Sequence, residues 1–202
     1  MFKRRPLLLI VSSPSGAGKT TLCKRMLAEF TDIRFSISHT TRPPREGEED
    51  GKDYVFVNTE TFEKMIEDDQ FIEWAHVHGN RYGTSRGEVR AAASGGVDLI
   101  FDVDYQGAAQ IKKNYPDAVS LFILPPSIEE LKLRLRARGT ETPESLEKRF
   151  RAALGEIAHL GEFDYLIVND NVDRAYDQMR AILIAERTRN NRCSHLAERL
   201  LH

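Results

Sequence analysis

The sequence predicts an α/β fold in which a mainly parallel sheet is flanked by helices, and three observations predict it. Short apolar, β-branched runs recur at residues 7–11, 35–38, 54–57, 99–103, 119–124 and 165–168. Segments with helical spacing separate most of them, as parallel strands joined by helical crossovers require. Helix starts are marked in the right places. Ser85 with Glu88 and Ser127 with Glu130 have capping-box spacing, and Thr142 before Pro143 fits an N-cap with proline at the first helical position.

The chain has 202 residues, 41% of them hydrophobic, enough to bury one sizeable core. Its 29 basic and 31 acidic side chains nearly cancel, so there is no global positive field of the kind that nucleic-acid and membrane-surface binders carry. The first apolar run is too short for a signal peptide or a membrane span, and cytoplasm is the expected location. Cys23 and Cys193 lie far apart with no metal-ligand spacing, which argues against a disulfide framework or a zinc site.

The first strand leads into Ser13-Pro14-Ser15-Gly16-Ala17-Gly18-Lys19-Thr20-Thr21 and then a helix. Strand, glycine-containing loop, Lys-Thr and helix are the order of a phosphate-binding P-loop. Backbone N–H groups can close on phosphate oxygens only where side chains leave room, and the helix directs its positive end at the same anion. This reading gives a nucleoside triphosphate as the bound ligand, Lys19 on its β- and γ-phosphates and the Thr20 hydroxyl on Mg²⁺. Ser13 occupies the place of the usual first glycine. If that place demands a positive φ, serine costs on the order of 1 kcal/mol there.

Residues 36–86 differ from the rest, with turn signals, a charged loop at 42–52 and short strand-like pieces that suggest a small mixed lobe inserted into the core. Here stand Ser38-His39-Thr40-Thr41-Arg42-Pro43-Pro44-Arg45-Glu46-Gly47 and Asp50-Gly51-Lys52-Asp53-Tyr54. After them come Phe71-Ile72-Glu73-Trp74 and Gly79-Asn80-Arg81-Tyr82-Gly83-Thr84. In their order and spacing, together with the P-loop, these segments closely resemble the guanylate kinase family, and the resemblance spans nearly the whole chain. It implies a P-loop kinase core that transfers the γ-phosphoryl group of ATP to GMP or dGMP, with Mg²⁺. It also implies a GMP-binding lobe at about 36–87, a helical lid at about 126–159, and a core from 1–35, 88–125 and 160–202.

Arg42 and Arg45, on a proline-stiffened loop, offer planar, permanently charged forks to a second phosphate. Standing alone they would read as exposed loop charges. Beside a P-loop and two tyrosines the phosphate reading prevails, and the resemblance implies that Ser38, Arg42, Arg45, Tyr54 and Tyr82 hold the GMP phosphate. It also points to Glu73 and Thr84 as readers of the base. Guanine presents N1–H and N2–H₂ donors beside an O6 acceptor, so a carboxylate can take both protons while a hydroxyl donates to O6.

The run 98–104 ends in Asp102 and Asp104, two carboxylates on one face by strand periodicity. An apolar strand ending in Asp can steady Mg²⁺ directly or through water, and the same acids can cap the helix that starts at Tyr105. Asp102 is assigned to Mg²⁺ and the acceptor phosphate and Asp104 to the nucleoside, with the capping alternative open; Gln106-Gly107 extends the resemblance. The run 131–136 alternates like a strand, but the preceding cap and the spacing of Ile128, Leu131 and Leu135 favour a helix. Arg134 and Arg138 share a face of that helix. With Arg149 they match arginines of the family's lid, whose late arrival neutralises charge and excludes water. Arg136 is expected to face solvent.

His39, His76, His78 and His159 show no three-ligand metal spacing, Trp74 is expected to pack, and Asn169-Asp170 fits either an adenine contact, by resemblance, or a turn and helix start. Three other readings compete. Transfer to another phosphorylated small molecule is opposed by Glu73, Tyr82 and Thr84, which suit an acceptor carrying a base. A protein-interaction module of the same fold is opposed by the intact Lys19, Thr20 and arginine set. A P-loop GTPase would need an Asn-Lys-x-Asp segment, and the sequence has none.

Overall fold

The computed structural model describes residues 4–77, 79–137 and 143–193. In chain order its elements begin β1 (Leu8–Ser12), α1 (Lys19–Glu29), β2 (Ile33–Phe35), β3 (His39–Thr40), β4 (Val55–Phe56) and α2 (Thr59–Glu67). Then come β5 (Phe71–Val77), β6 (Asn80–Ser85), α3 (Arg86–Gly95), β7 (Asp98–Asp102), α4 (Tyr105–Asn114) and β8 (Val119–Leu124). The chain continues through α5 (Ile128–Ala137), α6 (Pro143–Ile157), β9 (Tyr165–Val168) and α7 (Val172–Arg187).

The larger sheet has the order β2-β7-β1-β8-β9, with every pair parallel. Its core follows from the period-two alternation of β1 and the residue before it. Leu7, Leu9 and Val11 pack with Leu22 and Met26 of α1 and Met179 and Leu183 of α7, whereas Leu8 and Ile10 pack with Val89 of α3 and Ile111 of α4. Helices therefore cover both faces, which is why the central strands are apolar throughout. A third cluster, Leu131, Leu135 and Ala153, joins α5 to α6.

The smaller sheet is mixed, in the order β4-β3-β6-β5. β3 runs parallel to β4 and antiparallel to β6, and β5 and β6 form an antiparallel pair. The expected strand at 35–38 straddles two elements. β2 ends the visit to the large sheet at Phe35, and the chain joins the small sheet at His39. Other strand ends move by a residue, for a local reason in the first case: the Leu7 N–H is taken by the Asp98 carboxylate at 2.6 Å, so the ladder begins at Leu8. Expected helix starts at Ser85 and Ser127 are occupied by real caps, with both hydroxyls accepting from the N–H three residues on. Residues 131–136 are helical and Arg136 is exposed. Thr142 lies outside the described residues. Among those residues no helix is long and apolar enough to cross a membrane.

Candidate active site

The loop from Ser13 to Gly18 lies at the carboxyl end of β1, beside the ends of β7 and β8, where open parallel sheets form their ligand crevice. Gly16 and Gly18 hold φ of +94° and +98°, whereas Ser13 is free of positive φ, so serine carries no backbone strain in the first-glycine position. Gly18 caps α1 without a side chain, leaving the helix N-terminus open towards an anion. The Pro14 carbonyl accepts from the Ala17 N–H at 3.1 Å and tightens the turn. Thr20 and Thr21 are exposed in the first turn of α1.

Behind the loop, Asn169 is buried after β9, and its side-chain amide donates to the Ala17 carbonyl at 2.8 Å. It braces the P-loop backbone, a structural role that neither sequence reading of Asn169 anticipated. From α5, Arg134 donates to Glu130 at 2.7 Å and to the Asn169 carbonyl at 3.2 Å. From α6, Arg149 donates to the Ser15 hydroxyl at 2.8 Å. Both arginines thus stand at the phosphate loop, while Arg138 lies outside the described residues.

In front of the loop is a cavity of about 440 Å³, large enough for a nucleotide-sized ligand. Its wall includes Ser13, Lys19 and Asp102 at one end and Ser38, Tyr54, Glu73, Tyr82 and Asp104 beyond. Register places Asp102 beside Val11, and its carboxylate forms an ion pair with the Lys19 ammonium. Asp104 has two roles, since it lines the cavity and also caps α4 by accepting from the Gly107 N–H at 2.9 Å.

Glu73 reaches this wall because the β5–β6 register shifts between Phe71 and Glu73, which lets Phe71, Ile72 and Glu73 all be buried in succession. Burial pushes its carboxyl above the ordinary glutamate range, and hydrogen bonds from Thr84 oppose that rise. Thr84 is engaged inside the fold. It is fully buried, and its hydroxyl, which has one proton to give, donates to Glu73 at 2.6 Å. Thr84 therefore orients Glu73, while the Ser38 hydroxyl, 3.3 Å from that of Thr84, is the one on the cavity wall. A Cβ at position 107 would lie 3.0 Å from Val103 Cβ and 3.3 Å from Glu73 Oε2, so glycine there lets α4 approach the carboxylate.

Arg42 packs 5.4 Å from the Tyr54 ring centroid, and Tyr54 meets Tyr82 edge-on at 5.9 Å. Arg42 also donates to Glu48 at 2.8 Å, and this bond chiefly raises the arginine's pKa and lowers that of Glu48. Arg45 is exposed and outside the cavity wall; its backbone N–H donates to Glu48. Sequence reasoning missed two carboxylates: Glu48, which holds Arg42, and Glu156, which lines the cavity from α6. A signal for Glu156 was present, seven residues after Arg149 and thus on the same helix face. Trp74 is half-buried beside His76, as expected of a packing residue. Among the described residues no cluster of three or more His, Cys, Asp or Glu could hold a metal.

Comparison with known proteins agrees with this geometry. The family described as Guanylate kinase matches residues 3–186. The chain is 51% identical to a guanylate kinase of Sphingopyxis alaskensis over 190 residues, covering 94% of this chain and 86% of that one. It is 50% identical to a guanylate kinase of Syntrophotalea carbinolica over 198 residues, covering 98% and 94%. A crystal structure of guanylate kinase from Anaplasma phagocytophilum superposes with a TM-score of 0.75 at 34% identity, covering 98% of this chain and 94% of that one. A P-loop facing Glu73, Tyr54 and Tyr82 across one cavity, and matches of this extent, lead to one conclusion: the chain belongs to the guanylate kinase family.

Proposed function

We propose that this enzyme transfers the γ-phosphoryl group of ATP to GMP, giving ADP and GDP, and accepts dGMP in the same site, a step of purine nucleotide metabolism in the cytoplasm. The observation that carries the reading is that one cavity joins the P-loop lysine to a buried carboxylate suited to guanine. The loop from Ser13 to Gly18 and the start of α1 hold the donor phosphates, with Lys19 over the β- and γ-groups. Glu73 accepts from the guanine N1–H and N2–H₂. Ser38, Tyr54, Tyr82 and Arg42 serve the acceptor phosphate, and Arg45 joins them as its exposed loop moves inward.

No general base is required. The second pKa of a phosphate monoester is near 6, so the acceptor is mostly a dianion at neutral pH. What the protein supplies is in-line placement and cancellation of charge between two anions. Lys19 exchanges Asp102 for phosphate. Residues 36–87 form the acceptor lobe, and residues 126–159 form a lid that brings Arg134, Arg138 and Arg149 over the transferring group and excludes water.

The donor set suits Mg²⁺. The Thr20 hydroxyl and the Asp102 carboxylate are hard oxygen ligands, and few protein ligands suffice for an ion that keeps waters and nucleotide phosphates around it. When bound, Mg²⁺ neutralises charge on the donor's β- and γ-phosphates.

A coupled assay with GMP, dGMP, AMP, CMP and UMP tests the proposal. Turnover with GMP and rejection of AMP by roughly four orders of magnitude are expected. Lys19→Met lowers turnover by about 10²–10³-fold while the folded state persists. Equal use of GMP and AMP, or near-normal turnover by folded Lys19→Met, overturns the reading.

A further inference from the structure

Glu156 is an acid that the transfer chemistry above does not use, although it faces the reaction cavity. It shares a face of α6 with Arg149, and the turn just after that helix is pinned to the start of α4. Tyr105 stacks on His159 with ring centroids 3.7 Å apart and planes 7° from parallel, and His159 Nδ1 lies 2.7 Å from Glu162 Oε1. Held this way, the carboxyl is a placed group rather than a surface acid.

Its surroundings locate it along the cavity. Lys19 of α1 and Asp102 of β7 mark the phosphate end, and Glu73 of β5 and Asp104 at the start of α4 mark the base end; Tyr54 and Tyr82 close the side. Glu156 feels both Lys19 and Asp104. Burial pushes its pKa up to about 7, with the Lys19 charge opposing that rise and the Asp104 charge adding to it. It therefore stands between the two ends, where a nucleotide laid from Glu73 to Lys19 presents its sugar.

We propose that Glu156 accepts a hydrogen bond from the ribose 2′-hydroxyl of the acceptor nucleotide and so sets the preference for GMP over dGMP. The inference rests on the assignment of this cavity to GMP. Deoxyribose lacks that donor, and a half-buried carboxylate that loses its partner disfavours the deoxynucleotide.

The test compares kcat/KM for GMP and dGMP in the wild type, Glu156→Gln and Glu156→Ala, from about pH 5.5 to about pH 8.5 across the carboxyl's titration. The wild type should prefer GMP by roughly tenfold, the size of one hydrogen bond to a charged group, and increasingly so as pH rises through about 7 and the carboxyl ionises. Glu156→Ala should bring the ratio close to unity. Glu156→Gln, which keeps an acceptor oxygen, should retain part of the preference and lose its pH dependence. A ratio unchanged in Glu156→Ala, or a wild-type preference that is absent or flat with pH, overturns the sugar contact. Strong selection of GMP over AMP in the same experiment would leave the acceptor assignment standing, whereas no turnover of GMP or dGMP would overturn both.

Discussion

The side-chain amide of Asn169 fills the space that a Cβ on Gly18 would need, while donating at 2.8 Å to the carbonyl of Ala17. The tightest point of the phosphate loop is therefore set from behind, by a residue after the last strand. Gly18→Ala should cost about 2–4 kcal/mol, from left-handed backbone and overpacking together, and should abolish ATP binding. Adding Asn169→Ala relieves only the collision, so a denaturation double-mutant cycle should show favourable coupling. Simple additivity would separate the two residues.

Glu73 is expected to set acceptor choice and Thr84 to prepare it. Glu73→Gln should narrow the GMP over AMP preference and leave the KM for ATP unchanged. Thr84→Val removes the hydroxyl donor and should lower kcat/KM for GMP by roughly tenfold. The Thr84 bonds hold the Glu73 pKa down against burial, so losing the hydroxyl should also move the acid limb of the GMP profile to higher pH. In the folded wild type Glu73 binds its proton more tightly than an unfolded glutamate does. Stability relative to Glu73→Gln therefore falls as pH climbs from 4.5 through the raised value, which thermal melts across pH can measure. Unchanged specificity in Glu73→Gln would move base recognition to Asp104.

Arg149 touches Ser15 of the phosphate loop and is carried by α6, so its charge stands beside the loop proposed to hold the donor phosphates. Arg149→Ala should lower kcat by about 10²–10³-fold and change the KM for GMP only a few-fold. Steady-state kinetics with each substrate varied would show this split. The reverse pattern, with kcat intact and GMP binding much weaker, would place Arg149 on the acceptor.

Asp98, at the other end of β7 from Asp102, is fully buried. It accepts from Arg4 at 2.7 Å, from Arg187 at 2.7 Å and from the Leu7 N–H at 2.6 Å. Asp98→Ala leaves the Leu7 N–H without its acceptor and leaves Arg4 and Arg187 only the partly exposed Asp32, and should destabilise the fold by about 3–5 kcal/mol. Turnover per folded molecule should be unchanged. Urea unfolding with active-site titration checks both statements, and a loss below about 1 kcal/mol would reduce the cluster to a surface-type ion pair.

What the sequence determined by itself was whatever depends on neighbours along the chain. The caps at Ser85 and Ser127 act three residues away, the helix over 131–136 follows from its cap and spacing, and the P-loop is a contiguous run whose glycines meet local backbone demands. The resemblance added the roles of residues that lie far apart, and so the family was legible before the fold. Tertiary structure decided matters of distance and burial. The strand order β2-β7-β1-β8-β9 depends on which crossovers pack. That order sets Asp102 beside Lys19, register and burial bring the Thr84 hydroxyl onto Glu73, and the packing of α6 on α5 carries Glu156 to the cavity wall. A hydroxyl has one proton and a carboxylate's pKa follows its surroundings, so these roles are fixed only when the surroundings are folded.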